Sequence, residues 1–242
     1  YSYDQFDKAQ ASGATCPVAR DEAGSVIYGA NGEPMPMYYD YNGTKYAFTG
    51  GDAIYEDVNH DGSIDQYDVV YLGSSLPKLT GGFGFRLFYK GWSLNAQFNY
   101  RYGNKIANVA RMRAENMHGA DNQSTAVNYR WRKEGDGANG GHVLPRALYG
   151  QGYNWMGSDR FVEDGSFLRL NYLQFSYGFD SKLIKRIGLS RLNLYVSGEN
   201  LFCLTKYSGV DPEVNYGDMG VTKDEAITPR AKSFTFGLTA TF

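Results

Sequence analysis

The chain has 242 residues, with 24 Lys and Arg against 26 Asp and Glu for a net charge of −2; a balance so close to neutral excludes a general nucleic-acid binder and a polybasic membrane-surface protein. Thirty Gly, 21 Tyr and 14 Phe combine turn formers with strand-loving aromatics and predict a β-rich chain with many exposed connections. No run of 18 apolar residues occurs, which excludes a transmembrane helix but leaves room for barrel strands of about 9–11 alternating residues.

The first residues, Tyr1-Ser-Tyr-Asp-Gln-Phe-Asp-Lys8, carry neither the basic start nor the apolar stretch of a signal peptide. Residues 1–50 hold no motif and read as loop, except that Asn42-Gly43 is a plausible hairpin tip within 38–48. Cys16 and Cys203 lie too far apart in sequence to suggest a disulfide framework or a metal knuckle.

Residues 57–68 read Asp-Val-Asn-His-Asp-Gly-Ser-Ile-Asp-Gln-Tyr-Asp. On the twelve-residue calcium loop, Asp57, Asn59 and Asp61 take positions 1, 3 and 5, and Gly62 takes the sharp turn. The Ser63 carbonyl, the water-bridged Asp65 and Asp68 complete the ligand set. Such a cluster of carboxylates repels itself unless a cation draws the oxygens together. Asp instead of Glu at the last position, and Gly50 to Glu56 in place of an incoming helix, set the loop closer to the dockerin type than to a cytosolic sensor. An acidic turn without metal remains the alternative to a structural calcium ion.

Five segments then alternate with the period of a strand. In 82–89, Phe83, Phe85, Leu87 and Tyr89 share a face and Phe88 is the exception. From Trp92 to Tyr102 all eleven positions obey the rule, with Trp92, Leu94, Ala96, Phe98, Tyr100 and Tyr102 on one side. In 168–179 the parity changes from Leu168, Leu170 and Tyr172 to Leu173, Phe175, Tyr177 and Phe179, which predicts a bulge near Tyr172. In 191–200, Leu192, Leu194, Val196 and Gly198 alternate, with Tyr195 out of step. The last ten residues set Phe234, Phe236, Leu238, Ala240 and Phe242 against small polar ones.

A soluble sandwich also alternates. The strand ends and connections favour a membrane wall: Tyr89 and Trp92 flank the Lys90-Gly91 turn, Tyr100 and Tyr102 close the other end, and aliphatic residues lie between. Short connections at 90–91 and 180–190 alternate with long ones at 103–165 and 202–231, as in outer-membrane barrels. Five strands cannot close such a barrel, so the segment is expected to be the end of a larger protein. His60, His118 and His142 lack ligand spacing and no nucleophile motif occurs, so no catalytic residue is expected. Trp131, Tyr149, Tyr153 and Trp155, together with lumen-side Arg101, are candidates to stack on or pair with a substrate, packing within the loop and wall being the alternative.

An ordered series of motifs resembles the C-terminal part of the SusC/RagA-type TonB-dependent outer-membrane transporters of Bacteroidetes. It runs from Gly51-Asp52 and Asp57-Val-Asn-His-Asp-Gly-Ser-Ile-Asp65 through Gly81-Gly-Phe83, Tyr89-Lys90-Gly-Trp92, Arg130-Trp131 and Arg160-Phe-Val-Glu-Asp-Gly-Ser-Phe-Leu-Arg169. It continues with Gly198-Glu-Asn-Leu-Phe202, Gly209-Val-Asp-Pro-Glu213, Pro229-Arg230 and the final strand. The resemblance implies an all-β fold: the last five or so strands of an antiparallel transmembrane barrel of about 22 strands with a plugged lumen. Residues 1–81 would be an extracellular loop region and 82–242 the wall strands with their long outer loops. It implies import of oligosaccharides or peptides across the outer membrane of a Gram-negative bacterium, a SusD-like surface lipoprotein as lid, and energy from the TonB complex through a missing N-terminal part. Calcium would be structural, and Phe234, Phe236 and Phe242 would form an assembly signal. The rival readings are a secreted, calcium-stabilised β module that binds glycans and a passive porin.

Overall fold

The computed structural model describes residues 18–133, 135–136, 144–213 and 222–242; Cys16, His142 and parts of the expected long connections lie outside them. The chain divides into two compact units, Tyr1–Tyr71 with Arg111–Ser158, and Leu72–Ala110 with Asp159–Phe242.

In the first unit β1 (Tyr38–Tyr41) and β2 (Thr44–Ala47) form a hairpin. Asn42 and Gly43 take φ of 52° and 77°, the paired left-handed conformation that a two-residue turn of the expected Asn-Gly type requires. β3 (Ser63–Ile64) adds to β1 in parallel, Tyr38 facing Ser63 and Tyr39 facing Ile64. The buried side chains Met37, Phe48 and Ile64 form a small core, against which Tyr39, Tyr46, Tyr55 and Met156 pack.

The second unit is built on five antiparallel strands: β4 (Leu79–Tyr89), β5 (Trp92–Tyr102), β8 (Phe167–Gly178), β9 (Arg191–Thr205) and β11 (Ser233–Thr241). Their order is β11-β9-β8-β5-β4, so neighbours in the sheet follow one another along the chain apart from short intervening elements. Each expected strand is present. β4 begins three residues earlier than its alternation shows, because Leu79, Thr80 and Gly81 pair with Tyr102, Arg101 and Tyr100; Gly81 and Gly82 hide the period there. Lys90 and Gly91, at φ 42° and 87°, make the tight β4–β5 turn.

The expected bulge is at Asn171. Gln97 faces Tyr172 and Phe98 faces Leu170, so Asn171 has no partner in β5. On the other side Tyr172 faces Glu199 and Leu170 faces Phe202; two residues of β9, Asn200 and Leu201, accommodate the irregularity. Asn200 has φ 52°, and its side-chain amide donates to the Ala231 carbonyl at 3.1 Å. One extra residue reverses the parity of β8, whereas two preserve that of β9.

The stretch 103–165 carries elements of its own: β6 (Lys105–Asn108), α1 (Val109–Glu115) and β7 (Val162–Asp164). β10 (Lys223–Asp224) joins β6 in parallel, giving a second small sheet in the order β10-β6-β7. Within the 180–190 connection, α2 (Ser181–Ile184) starts at Asp180, whose carboxylate accepts from the Lys182 amide at 2.9 Å.

Candidate functional site

The five-stranded sheet has two chemically distinct faces, set by its register. On one face the cross-strand rows read Tyr89–Trp92–Tyr177–Leu194–Leu238, then Leu87–Leu94–Phe175–Val196–Phe236, then Phe85–Ala96–Leu173–Gly198–Phe234. Beyond the bulge they continue as Phe83–Phe98–Leu170–Phe202 and Gly81–Tyr100–Leu168–Leu204. Three aromatic rings mark the end at the β4–β5 turn and Tyr100 and Tyr102 the other. Trp92 stacks on Phe175 with centroids 4.7 Å apart and lies 4.5 Å from Tyr177; Phe83 stacks on Phe98 at 5.0 Å. These pairs hold the strands together, yet the face is open. Phe83, Phe85, Leu87, Trp92, Phe175, Leu194, Phe236 and Leu238 are all exposed, Phe236 to 82%. A hollow of about 910 Å³ lies against it, lined in part by Trp92, Phe175, Leu194 and Phe236.

The opposite face is polar. Its rows read Arg86–Asn95–Gln174–Ser197–Thr235 and Gly84–Gln97–Tyr172–Glu199–Ser233, and beyond the bulge Gly82–Asn99–Arg169–Cys203. The two residues that broke the alternation, Phe88 and Tyr195, share one row with Ser93, Ser176 and Gly237. The Ser93 and Ser176 hydroxyls bond each other at 2.6 Å. The Tyr195 ring lies on the Gly237 backbone so closely that any Cβ there would overlap it, which explains a glycine within a strand.

Four charges cluster near the Tyr102 end of this face. Arg169 Nη2 lies 2.5 Å from Asp211 Oδ1 and Arg169 Nε 3.0 Å from Glu213 Oε2, while Arg230 Nη2 lies 3.0 Å from Glu213 Oε1. Two guanidiniums lie near the Phe167 ring, that of Arg101 5.6 Å and that of Arg169 5.8 Å from its centroid. Alternation placed Arg101 on this face, but the ion cluster joins residues 42 apart in sequence, and no local pattern announces it.

In the first unit the 57–68 loop takes a tightly hydrogen-bonded form. Gly62 has φ 85° and packs its Cα region against Ala19 and Met35, where an added Cβ would approach within 3.1 Å and 3.3 Å. The Asp57 carboxylate accepts from the amides of Asp61 at 3.2 Å and Gly62 at 2.8 Å. Asn59 accepts from the Asp61 amide at 3.2 Å, and Asp61 accepts from the Ser63 amide at 2.8 Å. Asp65 accepts from Tyr67, and Asp68 from Val58 and Asp65, at 2.7–2.8 Å. His60 Nδ1 donates to the Arg20 carbonyl at 3.0 Å; a carbonyl only accepts, so this nitrogen carries the proton. Ile64 pairs with Tyr39 of β1. The oxygen-only donor set suits a hard cation. Among the described residues no three His, Cys, Asp or Glu side chains form a group able to hold a metal ion; the loop's carboxylates accept instead from its own backbone amides.

The candidate aromatic residues do not form one platform. Trp155 is 2% exposed and Tyr149 83%. Tyr153 stacks on Tyr46 at 4.3 Å with the rings 12° apart. The Trp131 ring covers Gly51, where a Cβ would overlap it. Packing accounts for Tyr153, Trp155 and Trp131, and Tyr149 alone stands open. Asp52, a buried carboxylate that the sequence marks only through the Gly51-Asp52 motif, accepts from Arg146 Nε at 2.6 Å, Tyr46 OH at 2.7 Å, the Thr49 amide at 2.8 Å and Asn154 Nδ2 at 3.0 Å. Burial, then the bond to Asp52, raises the Tyr46 hydroxyl above the ordinary phenol range. At Arg146 burial works against the charge, but the bond and charge of Asp52 outweigh it and raise the guanidinium. Phe234, Phe236 and Phe242 are all exposed, the first two on the apolar face.

No protein-family profile matches the chain. Among curated proteins it is 30% identical over 199 residues to TonB-dependent receptor P3 of Formosa agariphila, covering 79% of this chain and 19% of that protein. It is 32% identical to TonB-dependent receptor P39 of the same organism, over 78% of this chain and 18% of the relative. TonB-dependent receptor SusC of Bacteroides thetaiotaomicron is 27% identical over 89% of this chain and 18% of its own length. Among solved structures the RagAB peptide transporter superposes with a TM-score of 0.58 at 28% identity, over 70% of this chain and 18% of that one. The chain thus spans about a fifth of the length of the curated relatives it matches. The alternating five-stranded meander and these matches define a segment of a TonB-dependent receptor. Within that class the chain belongs to the SusC/RagA type, the resemblance its motifs carry.

Proposed function

We propose that this chain forms wall strands and outer loops of a TonB-dependent importer in the outer membrane of a Gram-negative bacterium. The observation that carries the reading is the two-faced sheet, whose open apolar face is bordered by aromatic rows while polar and charged residues line the other face. Lipid accepts the first and a wet lumen the second. Among the described residues no strand pairs with the outer edges of β4 and β11, which call for further strands because backbone groups at membrane depth must be paired. Further strands would close a barrel of about 22. A secreted glycan-binding module would have to leave this apolar face in water, where contiguous patches of such size are rare. The wall supplies passage and selection, and no catalytic step is assigned to any residue.

The substrate class is oligosaccharide or peptide, the peptide arm drawing support from the RagAB similarity. A SusD-like lipoprotein closes the outer face and the TonB complex supplies energy through parts of the protein beyond this segment. Calcium at Asp57, Asn59, Asp61, Ser63, Asp65 and Asp68 stiffens the loop on which the lid rests; its donor set and the turn at Gly62 support that role. The test is the full-length protein. A heat-modifiable band on gels and loss of growth on the imported nutrient without TonB are expected. A protein that stays in the aqueous phase without detergent would refute the wall, and growth independent of TonB would favour a passive porin.

A further inference from the structure

After β9 the chain turns back and is fixed at its near end. Ser208 donates through its amide at 2.8 Å and its hydroxyl at 2.7 Å to Glu163, which also accepts from Asn108 at 3.1 Å. Tyr207 donates its hydroxyl to the buried Asp224 at 2.6 Å. Beyond Gly209 the anchoring changes in kind. Asp211 and Glu213 both reach Arg169 of β8, and Asn99 of β5 donates to Glu213 at 3.4 Å. Asn99 and Arg169 are register partners on the polar face, so Glu213 lies across two strands of that face. The Asp211 carboxylate also accepts from the amides of Glu213 at 2.9 Å and Arg230 at 3.3 Å.

We propose that residues 209–213 are a strap latched by charge across the polar face, with Arg169 as the positioning residue that keeps it shut. This rests on reading that face as the lumen of a transporter. The side chains of Arg169, Asp211 and Glu213 are 5%, 11% and 13% exposed, whereas that of Arg230 is 54% exposed. Two enclosed carboxylates therefore depend on one enclosed guanidinium. Removing it leaves Asp211 without a cationic partner and Glu213 with only the exposed Arg230, which is costlier than removing the whole set of charges. Arg169 sits in a strand paired on both sides, so the strap, held at Ser208, is the part that moves into water. The passage then widens on the side of β5 and β8.

The experiment uses the full-length protein in lipid, with hydrogen exchange at the amides of 209–213 (Pro212 has none) and ion conductance in planar bilayers. Arg169→Met should speed exchange there about a hundredfold or more and raise conductance, with β8 and β9 protection unchanged. Adding Asp211→Asn and Glu213→Gln should restore both, since neutral partners need no counter-charge. If Arg169→Met does not assemble, Asp211→Ala breaks the latch from the loop side and is expected to give the same two changes. Unchanged exchange in the variant that assembles, faster exchange without a conductance change, or no restoration by the neutral set would each overturn the proposal. A wild-type protein that neither shifts on heating nor inserts into bilayers would instead overturn the transporter reading, and exchange would still report on the strap.

Discussion

Replacing Phe85 by Arg tests the placement of the apolar face in lipid. β4 and β5 pair over eleven residues each, which at about 3.4 Å per step span about 34 Å between the end residues. Tilted by about 40°, that rises about 26 Å along the membrane normal, close to the apolar band of about 25 Å in outer-membrane barrels. Phe85 lies four residues from Tyr89, in the row of Ala96 and Leu173, about 10 Å from the aromatic border by the same arithmetic and hence near the midplane. A charge there costs about 2–4 kcal/mol, against about 0–1 kcal/mol at the border. Gln97, on the opposite face, provides the matched control. Urea titration of full-length protein refolding into vesicles should show Phe85→Arg weakened by this amount, Leu238→Arg in the border row weakened less, and Gln97→Arg near wild type. Equal tolerance of Phe85→Arg and Gln97→Arg would refute the lipid placement.

Asp57→Ala with Asp61→Ala should make the 57–68 loop sensitive to protease whether or not calcium is present, while the wild type becomes sensitive only with chelator; a chelator-blind wild type would remove the metal from the loop. Gly237→Leu should destabilise the sheet by about 1–3 kcal/mol through overlap with Tyr195, and Tyr195→Ser should relieve most of that in a double-mutant cycle. Burial and the bonds to Asp52 and Asp224 raise the hydroxyls of Tyr46 and Tyr207, so their stabilisation is complete below the unfolded value of about 10 and is lost as pH climbs toward the folded values. Thermal unfolding followed from about pH 9 to about pH 12 should fall steeply in the wild type and less in Tyr46→Phe with Tyr207→Phe; parallel slopes would contradict it.

The five-stranded sheet was legible because a sheet with one apolar and one polar face writes its period into the sequence. Trp92 to Tyr102 alternates without exception and pairs along its whole length, and even the bulge left its mark as the parity change beside Asn171. Asn42-Gly43 was legible for a local reason, since few dipeptides accept two left-handed conformations. The start of β4 was not, because glycine carries no hydrophobic sign. Phe88 and Tyr195 looked like errors until the register put them in one row. The Arg169 cluster and the Asp52 hub depend on chain returns that no local pattern encodes. Trp131, Tyr153 and Trp155 show the limit of composition: aromatic rings in a long connection are as readily used to fold it as to meet a ligand.

The bulge at Asn171 also sets how this strand is able to evolve. Deleting Tyr172 or Leu173 would turn Gln174 and Ser176 toward the side held by Phe175 and Tyr177, whereas losing Asn171 itself would remove the extra residue and leave Leu170 and Tyr172 facing Phe98 and Gln97 in unbroken alternation. Lineages can therefore lengthen or trim this strand at its loop ends or at the bulge itself, but elsewhere inside it they are confined to changes of two residues at a time.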